Sequence, residues 1–169
     1  MRSLALFTAL AMLGTASWAA DDQQSGAVRT VKFSTGETVI ESGSEADHVV
    51  VKDTKGNVTA ESHCEPGSFD AYLALFTRLK ESLARGDRGV VVKLVGYPLQ
   101  VNGEGPLSVR NESALFKNYD KVFTPQVLEN IRKAEPAAVF CRDGLGMLGD
   151  GVVWAAASAG EAKMTVVNQ

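Results

Sequence analysis

The sequence predicts an α+β domain in which helices precede and pack on an antiparallel sheet, with a β-hairpin extension on the N-terminal side. Three patterns carry this. Short alternating stretches rich in β-branched residues lie between glycine turns up to residue 60. An apolar repeat at helical spacing runs from Phe69 to Leu83. Strand-like runs from Ala137 to Val167 then succeed one another without strand–helix–strand alternation.

Taken in order, Val28 to Phe33, Glu37 to Glu41, His48 to Lys52 and Asn57 to Ala60 read as strands, divided by Ser34-Thr35-Gly36, Ser42-Gly43-Ser44 and Lys55-Gly56. A four-stranded unit of this size holds no core of its own and must pack on the rest of the chain. Ser68 is the expected cap of a helix in which Phe69, Tyr72, Leu73, Phe76, Leu79 and Leu83 form one face, with Gly86 as its stop. Asp87 to Val95 is balanced locally: Asp87 suits a helix cap, whereas Val90-Val91-Val92 suits a strand. Tyr97 to Val101 and Leu107 to Arg110 read as a hairpin with a broad loop. Asn111 caps a helix through Phe123, and Thr124-Pro125 restarts one that Pro136 ends. Ala137 to Arg142, Leu145 to Leu148, Val152 to Ser158 and Ala162 to Val167 are the closing strands.

The chain opens with Arg2, an apolar run from Leu4 to Leu13 and small residues at Ser17 and Ala19, before Asp21-Asp22. That order is the pattern of a secretory signal peptide over residues 1–20, cleaved after Ala19 or Ala20, and implies a periplasmic or secreted protein. Residues 21–65 are then a polar leader and the hairpin extension, and 66–169 the main domain. The 17 basic and 20 acidic residues give a net charge of −3 without long blocks of either sign. Neither nucleic acid nor an anionic membrane is therefore an expected partner. The later apolar stretches fall far short of a spanning helix, so no membrane insertion is expected after signal removal. An oxidising compartment makes a Cys64–Cys141 disulfide the expected state of the two cysteines. Two buried thiols, or a metal half-site at His63-Cys64, are the alternatives. With His48 and His63 the sole histidines and no paired-cysteine motif, no metal is expected.

Several stretches, in this order, resemble the nuclear transport factor 2-like superfamily, which includes ketosteroid isomerase and the SnoaL-like cyclases. They are Leu83-Ala84-Arg85-Gly86-Asp87, Leu94 to Val101, Phe116-Lys117-Asn118-Tyr119-Asp120-Lys121-Val122-Phe123 and Gly149-Asp150-Gly151-Val152-Val153-Trp154. The resemblance spans residues 67–169 and leaves 28–64 outside it. It implies a cone-shaped fold with a curved antiparallel sheet, a short helix over Asp87 to Val95, and a pocket closed by the first helix.

The same resemblance places the isomerases' general base near Asn102 and their oxyanion-stabilising tyrosine near Leu79. An amide has no useful basicity near neutral pH and leucine donates no hydrogen bond, so that chemistry is not expected here. Tyr72, Tyr97, Glu104 and Asp120 are the polar groups left for a relocated acid and base. No phosphate loop, nucleophile elbow or His-Glu-x-x-His is present, and no cofactor is expected. The candidate pocket wall comprises Tyr72, Phe76, Tyr97, Phe116, Asp120 and Trp154, although apolar residues at such positions are more often core. The first reading is thus an exported non-catalytic binding domain, with an unknown small molecule or protein as partner. An isomerase or lyase with relocated catalytic groups, and a secreted inhibitor or immunity-type interaction module, are the alternatives. Val152 to Ser158 is apolar on both faces, which admits cover by a second copy, the hairpins or a partner.

Overall fold

The computed structural model describes residues 26–169, and the proposed signal peptide with residues 21–25 of the leader lies outside them. Four strands, β1 (Val28–Phe33), β2 (Gly36–Glu41), β3 (Asp47–Asp53) and β4 (Val58–Cys64), form an antiparallel meander. Period-two alternation gives the sheet two unlike faces. Thr38, Ile40, Val49, Val51, Ser62 and Cys64 turn inward and are buried. Glu37, Glu41, His48, Glu61 and His63 occupy the alternate, outward positions. β4 runs on to Cys64, beyond the expected end at Ala60, because its pairing with β3 continues to Asp47 opposite Cys64.

Helix α1 (Ser68–Ala84) comes next. Its N-cap is Gly67, at φ 72°, and not Ser68 as expected. The Ser68 hydroxyl turns back and donates to the Glu65 carbonyl at 2.8 Å, so it is not available as a cap. The Gly67 N–H donates instead to the buried Asp47 carboxylate, 2.9 Å away on β3. Asp87 caps the short helix α2 (Arg88–Lys93), accepting from the Val90 N–H at 3.0 Å. Asn111 caps α3 (Glu112–Lys117) and Thr124 caps α5 (Pro125–Lys133). The single helix expected up to Phe123 is broken at Asn118, with α4 (Tyr119–Val122) beyond it. There the Ala114 carbonyl accepts both the Asn118 backbone N–H at 3.2 Å and the Asn118 side-chain amide at 2.9 Å.

The second sheet has six strands in the order β6 (Leu107–Val109), β5 (Val95–Asn102), β10 (Glu161–Asn168), β9 (Val153–Ser158), β8 (Leu145–Leu148) and β7 (Phe140–Arg142). It is mixed rather than antiparallel throughout, since β5 and β10 run parallel. The intervening helices and strands supply the long connection that a parallel pair needs. The strand expected from Ala137 starts only at Phe140, after a turn in which the Ala138 N–H donates to the Glu135 carbonyl.

Helix α1 lies on this sheet, and the space between them is filled by side chains. Tyr72, Phe76 and Leu79 are at most 1 % exposed, as are Ala155 and Met164 of the strands below. Contact is closest at Gly146, where a Cβ would lie 2.5 Å from the Tyr72 ring. That ring cannot swing away, because its hydroxyl donates to the Gly144 carbonyl at 3.0 Å. Gly146→Ala is therefore expected to destabilise by about 1–3 kcal/mol through overpacking, measurable as a lower urea midpoint. A neutral result would show that α1 is free to lift from β8.

The hairpin sheet joins the rest along β4 and β7. The Cys64–Cys141 disulfide bridges the two strands, and the Ser62 hydroxyl accepts from the Cys141 N–H at 3.0 Å. Thr38 donates to the Ala137 carbonyl at 2.7 Å, and Arg29 meets Asp70 of α1 at 2.7 Å. Of the readings left open by composition, the disulfide is the one the structure adopts. Among the described residues no helix is long and apolar enough to cross a membrane.

Candidate functional site

A cleft of about 650 Å³ opens between the hairpin sheet and the end of the six-stranded sheet. Phe33, Val51 and Asp53 form one wall, and Asn130 of α5 and Ala134 just after it, with the 149–151 turn, form the other. The turn is built from three consecutive left-handed residues, Gly149 (φ 59°), Asp150 (φ 52°) and Gly151 (φ 87°). Glycine is required at the first of these for a second reason, because a Cβ would lie 3.0 Å from Val152 Cγ1 and 3.1 Å from Ala134 Cβ. The Gly151 carbonyl is held by the Trp154 indole N–H at 3.0 Å and by the Asn168 amide. At the rim, the Ser34 hydroxyl donates to the Glu135 carboxylate and ties the first hairpin to the segment after α5.

The acidic groups of the cleft are largely committed to structure. Asp53 accepts from the Asn57 side chain at 2.9 Å and from the Asn57 and Lys55 backbone N–H groups at 2.9 and 2.8 Å. Those bonds, the Asn57 side chain's first, hold its carboxyl below the usual range. Glu135 is bonded to Ser34. The lining contains no histidine or cysteine and no nucleophile hydrogen-bonded to a base. Such a wall can hold a ligand through an aromatic ring, amides, hydroxyls and the charged groups of Lys52, Lys133 and Asp150.

The six residues expected to wall a pocket do not meet around this cleft. Tyr72 and Phe76 lie in the packed layer under α1. Tyr97 donates its hydroxyl to the Val92 carbonyl at 3.0 Å, and half-buried Trp154 braces the 149–151 turn. Phe116 is 50 % exposed, while its neighbour Leu115 takes the buried side of α3. Asp120 is a surface group paired with Arg88 at 2.7 Å, and the Arg88 guanidinium lies over the Tyr119 ring. A smaller hollow of about 190 Å³ beside Leu75, Arg78 and Lys163 also excludes all six. Glu104 lies exposed in the loop between β5 and β6, Arg142 and Asp143 pair across a strand end at 3.4 Å, and Asp150 occupies the turn already described.

Burial pushes the Tyr97 phenol up to about 12, with Glu112 adding to the shift, and raises Tyr72 and Tyr119 in the same direction. These are the chain's three tyrosines. A spectrophotometric titration is therefore expected to show phenolate only above the ordinary tyrosine range, reverting to about 10 in denaturant. Because the folded values are raised, stability is complete below the unfolded value and falls as pH rises from about 10 towards 12. A native phenol titrating below 10 would contradict this and reveal an activated tyrosine.

Residue reasoning missed Asn130, Asn168 and the floor at Val51 as cleft residues. The one local signal was Gly149-Asp150-Gly151, which reads as a tight turn and nothing more. Among the described residues no group of three or more His, Cys, Asp or Glu side chains is placed so that it could hold a metal ion. In comparisons with known proteins the chain matches no family model, no curated protein and no solved structure.

Proposed function

We propose that this is an exported, non-catalytic binding domain of the nuclear transport factor 2-like type, holding a small ligand in the cleft between the hairpin extension and the six-stranded sheet. The observation that carries the reading is a cleft of about 650 Å³ whose Asp53 and Glu135 are tied to turn and loop partners. That volume suits a small-molecule ligand. A long helix laid on one face of a six-stranded sheet is compatible with a cone-shaped domain. Export is supported by the signal-peptide pattern of residues 1–20 together with the bridged cysteines.

Native mass spectrometry of the protein purified from its own exported compartment tests this reading. A retained non-protein mass is expected, and Thr35→Trp, which fills the cleft from an exposed turn, should abolish its retention without changing the melting transition. An empty chain, or a mass that Thr35→Trp retains, would overturn it. Turnover of steroid, polyketide or lactone substrates would overturn the non-catalytic part alone.

A second reading, an interaction module, draws on β1. That strand is an edge of the hairpin sheet, with Val28 64 % exposed, and an open edge is a template for pairing with another chain. A proline at Thr30 should then abolish capture of a protein partner while leaving the cleft ligand in place.

A further inference from the structure

The polar groups of the cleft divide into those already bonded and those still open, and the open ones describe a ligand. Asp53 and Glu135 turn their oxygens to Asn57, Lys55 and Ser34. The Lys133 ammonium is held by Glu129 at 3.2 Å. The Asn168 amide donates to the Gly151 carbonyl, and its oxygen accepts from Asn102 at 2.8 Å. Asn130 accepts from Gln126 through its oxygen, which leaves its side-chain N–H groups open. Among the described residues the Lys52 ammonium, the Thr35 hydroxyl and the Asp150 carboxylate of the lining also have no side-chain partner. One cleft therefore presents open donors and open acceptors together.

An ion of either sign entering this cleft meets a like charge, since Lys52 and Lys133 share the lining with Asp53, Glu135 and Asp150. A wholly apolar molecule would cover the open ammonium, amide and carboxylate without pairing them, at a cost for each. A saccharide meets neither objection. Each of its hydroxyls is both donor and acceptor, so it pairs with ammonium, amide N–H and carboxylate alike. Its C–H faces also suit the negative face of an aromatic ring. Phe33, half-buried at the end of β1, supplies that ring.

We propose that the cleft takes a neutral saccharide of one or two rings, laid on Phe33 and hydrogen-bonded by Lys52, Asn130 and Asp150. The inference rests on the cleft as a ligand site and adds the class of ligand. The volume of about 650 Å³ admits a molecule of that size. Asp150 is the one residue with a side chain in the left-handed run 149–151, at φ 52°. Aspartate and asparagine tolerate that backbone better than other side chains do, so the turn can carry a polar group at the cleft wall.

Trp154 reports on this wall. Its indole N–H is bonded to the Gly151 carbonyl of the turn at 3.0 Å, and the chain's other tryptophan, Trp18, falls in the proposed signal peptide. The experiment titrates the mature exported chain with maltose, cellobiose, lactose and diacetylchitobiose while following tryptophan emission, and hydrolyses any mass retained in native spectra for monosaccharide analysis. At least one disaccharide is expected to give a saturable change, and the retained mass to release monosaccharide. Phe33→Leu, which keeps apolar bulk and removes the ring, should weaken binding about 2- to 10-fold. Asp150→Asn, which suits the same backbone, should weaken it about fivefold, because a hydrogen bond to a charged group is roughly twice as strong as one to a neutral group. A retained mass that releases no monosaccharide overturns the saccharide and leaves the cleft reading standing, whereas an empty chain that responds to none of the four sugars removes both. Binding that Phe33→Leu and Asp150→Asn leave unchanged puts the sugar elsewhere and overturns the proposal as well.

Discussion

Replacing Phe76 with alanine is expected to lower the stability of the protein by about 3–5 kcal/mol, the range for an aromatic ring removed from a close-packed core. The ring has 0 % exposure and lies 6.3 Å from the Tyr72 ring, centroid to centroid, in the layer between α1 and the strands. Its neighbours are already fixed. Tyr72 is pinned through Gly144 and pressed against Gly146, so the void left by Phe76 cannot close by a shift of that ring. Urea unfolding measures the effect. A loss below about 1 kcal/mol would mean that α1 settles onto the sheet and that this layer is loosely packed.

The second large effect belongs to the disulfide. Cys64 and Cys141 are 77 residues apart, and on the chain-entropy account a link of that span stabilises by about 4 kcal/mol, commonly delivered as about 2–4. Reduction, or the double replacement Cys64→Ala with Cys141→Ala, should therefore lower the unfolding free energy by about 2–4 kcal/mol. The loss should also have a location. Besides the core that Ile40 and Val49 share with the main body, the remaining joints are polar contacts, chiefly Thr38 to Ala137, Ser62 to Cys141, Asp47 to Gly67 and Arg29 to Asp70. Amide exchange in β2 and β3 should rise before exchange in α1 and β10. Equal protection in oxidised and reduced protein would show that these contacts hold the hairpin sheet unaided.

Sequence reasoning succeeded where the determinant was local. The hairpin strands declared themselves through β-branched alternation between glycine turns. Asn111 and Thr124 were readable as caps because a cap is a side chain bonding a backbone N–H two or three residues on, whereas Asp87 was balanced locally against a strand over Val90-Val91-Val92. Ser68 failed as a cap because it is itself the first helical residue: Gly67 takes the cap position, and its N–H is bonded to Asp47, 20 residues away. Asn118 looked helical from its flanking apolar spacing, yet its backbone leaves the helical region there, at φ −111° and ψ 15°.

The candidate pocket shows the same division. Tyr72 and Phe76 have the composition of a pocket wall and of a core alike, and only knowing that Gly146 lets α1 close onto the sheet separates the two. The cleft draws its walls from the first hairpin, β3, α5, the 149–151 turn and the chain end, none of which carries a recognisable motif.

By itself the sequence determined the α+β class, the order of most elements, two of the helix caps and the pair of cysteines available to bond, because each depends on neighbouring residues or on a count. Only the tertiary structure decided the parallel pairing of β5 with β10, the filling of the space under α1 and the cleft beside the hairpin sheet. Those depend on which distant segments share a surface, and that is set by packing the whole chain at once rather than by the preference of any one segment.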